Sequence, residues 1–255
     1  MTPLTEKSNR VAAAIKLQRP AGRRHAARFL AEGPNLVEAA LRRGVVSEVF
    51  VTEDALTRFD SLIAGAPVHV VTDKAAKALS DTVTPVGLIA VCDIPEVELA
   101  DVLDGPKLVA VAVETSDPGN AGTLIRLADA MGADALILAG DSVDPYNPKC
   151  LRSSAGSIFS VPVVSVGDTR ALIADLVSAG LVVMATTLDG EASLATIDLN
   201  VPTAWLFGSE AHGLPAEIAA AADVRVQIPM TGTAESLNVA AAAAICLYQS
   251  AQALS

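Results

Sequence analysis

Aromatic side chains are scarce in this sequence: Phe, Trp and Tyr make up 3% of its 255 residues, with a single Trp, although 51% are hydrophobic. A core with few rings must be filled by small aliphatic side chains, which suits layered α/β packing. A chain of this length buries enough surface for one large or two modest domains. Cysteine is also scarce. Cys92, Cys150 and Cys246 are far apart and odd in number, with no C-x-x-C pair. That excludes a disulfide framework and a zinc cluster, and leaves three small hydrophobes with reduced thiols and no metal. No apolar run reaches the roughly 18 residues that cross a bilayer, and the alanine-rich stretch 239–247 reads as part of a packed helix. The N-terminus lacks the long apolar segment of a secretory signal, so a cytoplasmic protein without a membrane partner is expected. Neither G-x-G-x-x-G after the first strand nor G-x-x-x-x-G-K-[ST] occurs, and no G-x-S-x-G elbow is present. Dinucleotide and P-loop readings therefore lack support.

Positive charge is in short supply overall. The formal net of −11, taken as an average, argues against a nucleic-acid partner. Its distribution argues the reverse. Residues 1–45 hold nine Lys or Arg (Lys7, Arg10, Lys16, Arg19, Arg23, Arg24, Arg28, Arg42, Arg43) against three acids (Glu6, Glu32, Glu38), a net of +6 that leaves −17 for the rest. A local phosphate-binding face on a self-repelling body fits this asymmetry. An ordinary solvated basic helix fits it equally.

The hydrophobic pattern alternates between helix and strand periods. Val11, Ala14, Ile15 and Leu17 stripe a helix over 7–18, followed by a basic turn at 19–24 and a strand at 28–31. Gly33-Pro34-Asn35 opens a helix through Arg43, with Pro34 in the first turn. Strands at 48–51, 68–71 and 87–92 alternate with helices at 55–64 and 73–79, completing an α/β unit. The acidic stretch 95–106, which carries Pro, Asp and Gly, reads as the linker. Beyond it, strands fall near 108–113, 135–138, 161–166, 182–185, 204–207 and 224–228. Mostly apolar throughout, they suit parallel strands covered on both faces. Helices between them begin near Asn120, Pro148, Asp168, Pro215 and Ser236. The expected division is 1–96, a linker at 97–106, and 107–255.

Three phrases carry the chemistry. Asp117-Pro118-Gly119-Asn120-Ala121-Gly122-Thr123-Leu124-Ile125-Arg126 follows a strand and opens a helix. Asp117-Pro118-Gly119 makes a turn, Asn120 suits an N-cap, and Gly122 permits close backbone approach. Arg126 lies less than two turns into the helix and would also pair with Asp129. Phe207-Gly208-Ser209-Glu210-Ala211-His212-Gly213-Leu214 ends a hydrophobic strand in Gly208, where a ligand can lie against main chain at the strand's carboxyl end. Glu210 is a lone carboxylate in a glycine-bounded loop, or else a solvated loop acid. His212 has no Ser or Cys nucleophile phrase beside it and reads as incidental. Ile228-Pro229-Met230 closes the last strand, and Glu235-Ser236-Leu237-Asn238-Val239 starts the last helix, with Ser236 able to cap it and Asn238 in its first turn. Capping explains each piece; it does not explain their combination at this spacing. A fourth stretch, Lys149-Cys150-Leu151-Arg152-Ser153-Ser154-Ala155-Gly156, puts Arg152 at a helix end, where it either reaches phosphate or is simply solvated.

In order, spacing and wording these phrases closely resemble the SpoU/TrmH family of RNA ribose 2′-O-methyltransferases, part of the SPOUT superfamily, and the likeness covers nearly the whole chain. It is nearest to the branch that modifies ribosomal RNA and includes thiostrepton-resistance enzymes. The resemblance implies an α/β protein in two parts. An N-terminal L30e-like α/β substrate-binding domain would open on Glu32-Gly33-Pro34-Asn35-Leu36-Val37-Glu38. A C-terminal SPOUT α/β domain would combine a parallel sheet with a C-terminal trefoil knot, formed near 182–186, 204–208, 224–228 and the final helix. It further implies S-adenosyl-L-methionine (SAM) as methyl donor, no metal, an RNA partner and a homodimer.

Carried over by position, the catalytic residues are Arg126, Asn120, Glu210, Ser236 and Asn238. SAM would be held by Thr186, Thr187, Leu188, Gly208, Ile228, Met230 and Leu237. Arg19, Arg23, Arg24, Arg28 and Arg152 are the candidate RNA contacts. Ser209 departs from the Asn often found there. The implied substrate is 23S rRNA. The alternatives are tRNA, or a non-catalytic RNA-binding ribosome-assembly factor on the same fold.

Overall fold

The computed structural model describes residues 2–255. They divide into two compact units: the chain through Glu96 together with Tyr146–Phe159, and Val97–Pro145 together with Ser160–Ser255. Among the described residues, no helix is long and apolar enough to cross a membrane.

The first unit begins with α1 (Asn9–Ile15), capped by the Ser8 hydroxyl, which accepts from the Val11 N–H. A 3-10 turn at Lys16–Gln18 leads into α2 (Pro20–Ala26), where the sequence pattern suggests only a turn. Pro20 presets the first helical dihedral, and Ala27 ends the helix in the left-handed region at φ 49. β1 (Arg28–Glu32), α3 (Pro34–Arg43), β2 (Val46–Val51), α4 (Glu53–Phe59), β3 (Val68–Val70), α5 (Asp73–Leu79) and β4 (Leu88–Asp93) follow. Thr52 and Thr72 cap α4 and α5 through their hydroxyls. The sheet runs β1-β4-β2-β3; β2 and β3 are parallel, and β4 is antiparallel to both neighbours. Val11, Leu17, Leu30, Phe50, Ile89 and Val91 are buried in one cluster on this sheet.

The second unit starts in the stretch read as a linker, which contains a short helix, α6 (Leu99–Val102), with Val102 buried. Then come β5 (Leu108–Val113), α7 (Pro118–Ala130), β6 (Ala135–Ala139), α8 (Pro148–Ser154), β7 (Val163–Val166), α9 (Thr169–Ser178), β8 (Val182–Thr186) and β9 (Ala192–Ser193). The chain ends with β10 (Thr203–Phe207), α10 (Ala216–Ala219), β11 (Val224–Gln227) and α11 (Val239–Leu254). Of these, α8 belongs to the first unit, where Tyr146 packs its ring 4.7 Å from that of Phe29.

The seven-stranded sheet has the order β7-β6-β5-β10-β8-β11-β9, and every neighbouring pair is parallel. Each residue of β5, β6 and β10 is buried, as expected for strands covered on both faces. Trp205 of β10 is fully buried, and its indole N–H donates to the Ser250 hydroxyl of α11 at 2.9 Å. This bond satisfies the ring's one polar atom and ties the last helix to the middle of the sheet.

Two capping expectations change. Asp117, not Asn120, caps α7 by accepting from the Asn120 N–H at 2.9 Å. Asn238, not Ser236, caps α11 by accepting from the Ala240 N–H at 2.9 Å. The side chain of Asn120 is thereby left for another partner.

Candidate active site

The carboxyl ends of parallel strands are where α/β folds place ligands, because loops and helix starts diverge there. In this chain the ends of β8, β10 and β11 surround a cleft of about 830 Å³, closed on one side by the approach to α11. Thr186, Thr187 and Leu188 leave β8 along one wall. Gly208 and Glu210 follow β10, and Ile228 and Met230 follow β11. Ser236 and Leu237 complete the lining. All seven residues expected to hold SAM line this single cleft.

Gly208 is required by the main chain. A Cβ at this position would sit 2.1 Å from the carbonyl carbon of Gly213 and 2.2 Å from the Leu214 nitrogen. The loop after β10 therefore folds back on its own start, closed by the Gly213 N–H donating to the Ser209 carbonyl at 2.8 Å. Across the cleft, large apolar side chains stand open: Leu188 is 66% exposed, Leu237 38% and Met230 37%. The Thr187 hydroxyl is buried and has no hydrogen-bond partner among the described residues. Open apolar surface in a concave site, beside an unsatisfied polar atom, suits a ligand with one flat apolar part and a few polar groups.

The motifs meet at one contact. The Asn120 side-chain amide, on α7, donates to Glu210 Oε1 in the loop after β10, joining residues 90 apart in sequence. Arg126, further along α7, is exposed and has no hydrogen-bond or ion-pair partner among the described residues, so the alternative pairing with Asp129 does not form. Of the five expected catalytic residues, Glu210 and Ser236 line the cleft and Asn120 is joined to it through Glu210. Arg126 and Asn238 lie outside the lining. Burial pushes the Cys246 thiol of α11 up to about 12, and it raises Cys92 as well, so neither is a thiolate nucleophile near neutral pH. Among the described residues, no cluster of three or more His, Cys, Asp or Glu could hold a metal ion.

The candidate RNA contacts all belong to the first unit and are not equivalent. Arg19 and Arg24 are exposed. Arg23 is 1% exposed, and its guanidinium donates to the carbonyls of Leu17 and Gln18, each at 3.0 Å. Arg23 is therefore corrected to a structural residue: its charge is buried in closing α2 onto the preceding turn. Arg28 pairs with Asp93 at 2.7 Å, and Arg152 pairs with Asp81. The sequence reading set His212 aside as incidental and did not name Arg225; both line the cleft. The signal for Arg225 is present in the Val224-Arg225-Val226-Gln227 alternation, which turns Arg225 to the face opposite the buried Val226.

The sequence pattern of the SpoU rRNA Methylase family matches residues 107–248, and that of the MRM3-like substrate binding domain matches residues 8–90. The 23S rRNA (guanosine(2553)-2′-O)-methyltransferase RlmP of Bacillus subtilis is 38% identical over 222 residues, covering 86% of this chain and 87% of that protein. An AdoMet-bound rRNA methyltransferase from Sinorhizobium meliloti superposes with a TM-score of 0.86 at 30% identity, covering 98% of this chain and 97% of the other. The SpoU methyltransferase AviRb from Streptomyces viridochromogenes, in complex with AdoMet, gives 0.85 at 29% identity, covering 96% and 98%. On these matches, the chain belongs to the SpoU rRNA methylase family.

Proposed function

We propose that this protein transfers a methyl group from SAM to a ribose 2′-hydroxyl of RNA, with 23S rRNA as the substrate. The observation that carries this reading is the convergence of separated sequence phrases on one cleft, with Asn120 and Glu210 in contact across 90 residues. The cleft suits the donor. Leu188, Met230 and Leu237 give the lining open apolar side chains for the donor's apolar part, and the Thr187 hydroxyl, with no partner among the described residues, is available to a polar group. When bound, SAM supplies a methyl group on a cationic sulfur that is open to in-line attack.

The remaining work falls to this chain's residues. A ribose hydroxyl is a weak nucleophile near neutral pH, so the site must stabilise the negative charge that develops on its oxygen. Arg126 does this as a cation with five donors and no acceptor atom, while the hydroxyl proton passes to solvent water. With no partner among the described residues, Arg126 is available to RNA phosphate. The Glu210 carboxylate, held by Asn120, fixes the loop after β10, and Ser236 lines the same cleft.

Two structural readings accompany this one. β11 lies between β8 and β9, both of which precede it in the chain; a late strand inserted between two earlier ones is the order a C-terminal trefoil knot requires, and it supports that reading. The open face of α11, with Tyr248 at 53% and Ile245 at 37% exposure, supports a homodimer packed through that helix. A cytoplasmic location follows from an rRNA substrate. The rRNA reading is preferred to tRNA because the chain has a separate substrate-binding domain matched over residues 8–90.

Methyl transfer from radiolabelled SAM to separate pools of unmodified 23S rRNA and tRNA tests the proposal. Label in the rRNA pool alone is the expected result. Label in tRNA alone would reverse the substrate assignment. Absence of both label and SAM binding would leave the assembly-factor alternative.

A further inference from the structure

Among the described residues, Arg225 is the only Arg or Lys lining the cleft, yet its charge is engaged by the protein itself. Its Nε lies 2.9 Å from Glu191 Oε2 and its backbone N–H donates to Glu191 Oε1 at 3.0 Å, so one carboxylate grips both the side chain and the main chain of one residue. Arg225 Nη1 is also 3.6 Å from Asp189 Oδ2. The backbone N–H of Arg225, then that of Glu191 itself, and to a lesser degree the Arg225 charge hold the Glu191 carboxyl below the usual range.

These acids sit in the segment that follows the Thr187-Leu188 wall. The segment is tied to β11 at both ends: the Thr187 N–H donates to the Val226 carbonyl at 3.0 Å, and the Leu194 N–H donates to the Gln227 carbonyl at 2.9 Å. Between these ties, Gly190 lies against β11 so closely that a Cβ would fall 2.6 Å from the Gln227 nitrogen and 2.8 Å from the Arg225 carbonyl oxygen. Backbone contact brings the loop to the strand, and the Arg225 fork holds the residues between the ties. Solvent-exposed ion pairs such as these add little to global stability. They can still fix one loop geometry, and the ligand then binds without first having to order that loop.

We propose that Arg225 is a positioning residue which, with Glu191 and Asp189, holds the Thr187-Leu188 wall in its SAM-binding shape. The inference rests on the cleft being a SAM site, as proposed above. Arg225 acts through the wall and not on the reacting atoms, so its loss should appear in SAM affinity and not in the chemical step.

The test measures SAM binding by calorimetry, and kcat and KM for SAM, on the intact chain and on Arg225→Ala, Arg225→Lys, Glu191→Gln and the Arg225→Ala/Glu191→Gln double variant. Melting curves confirm folding. Arg225→Ala is expected to weaken SAM binding and raise its KM by about tenfold, with kcat at saturating SAM unchanged. Arg225→Lys should recover only part of this, because an ammonium cannot reproduce the fork. Glu191→Gln, whose residue does not line the cleft, should also weaken binding, and the double variant should be no worse than Arg225→Ala. Unchanged affinity in Arg225→Ala would overturn the inference while leaving the proposed function intact. Weakened affinity in Arg225→Ala with none in Glu191→Gln would also overturn it, because Arg225 would then touch the ligand directly. If the intact chain binds no SAM, the proposed function fails and this inference fails with it.

Discussion

The two units treat their polar groups in opposite ways. In the first, charges and hydroxyls are largely satisfied by one another. Arg23 is buried against two carbonyls, Glu32 accepts from Ser80 at 2.6 Å and from Thr82 at 3.1 Å, and Arg28 pairs with Asp93. Its small pocket of about 280 Å³ is edged by Arg10, Glu48 and His69, which contact one another. In the second unit the cleft keeps a threonine hydroxyl and three open apolar side chains, and α7, outside the lining, carries an arginine; among the described residues neither the hydroxyl nor the arginine has a partner. A second buried hydroxyl without a partner among the described residues, that of Thr115, lies outside the cleft lining, so it is the conjunction of unsatisfied and open apolar groups at one place that marks where a ligand completes the structure. The comparison also shows that a count of positive charges differs from the charge that is available. The first unit carries most of the basic residues, and several are already engaged.

Each prediction sharpens or breaks that contrast, and the largest effect lies in the second unit. Arg126→Ala should cut single-turnover methyl transfer about 10²–10³-fold while leaving SAM affinity within about twofold, because Arg126 is outside the cleft lining. Normal turnover would remove α7's arginine from the reaction. The neighbours Arg23 and Arg24 provide the intermediate effect. Arg23→Ala should destabilise the protein by about 2–3 kcal/mol in denaturant unfolding, since it leaves two carbonyls without a donor and a cavity behind. Arg24→Ala should leave stability unchanged but lower RNA affinity a few-fold and flatten its salt dependence. Equal effects from the two variants would erase the distinction between engaged and available charge. The smallest effect is expected on α3, where Glu38 and Arg42 pair at the surface: Glu38→Ala should cost about 0.3–0.5 kcal/mol. A cost several times larger would mean that surface pairs in this unit matter more than their exposure indicates.

Much of the second unit is legible in the sequence because its strands are buried on both faces and so read as unbroken apolar runs. Leu108–Val113 has the same bounds in both readings. Caps are less legible, since Asp117 and Asn120 are both good capping residues, and so are Ser236 and Asn238; local chemistry does not rank them. Arg23 and Arg24 are identical in type and adjacent, so only helical phase separates the buried one from the exposed one, and the pattern there suggests a turn. The pairing of the two-residue β9 with β11, and the placement of Tyr146–Phe159 with the first unit, depend on contacts distant in sequence and leave no local periodicity. The cleft lining is recovered through the phrases carried over by resemblance. Arg225 escapes that reading because it lies in a short strand between those phrases.

The central claim is ribose methylation of rRNA by the cleft at the ends of β8, β10 and β11. The most direct test supplies deuterium-methyl SAM with unmodified 23S rRNA, digests the product to nucleosides and locates the label by mass spectrometry. The account predicts a labelled 2′-O-methyl nucleoside, with labelling slowed about 10²–10³-fold by Arg126→Ala. Label on a base instead of the ribose, or equal labelling by the Arg126→Ala variant, would contradict it.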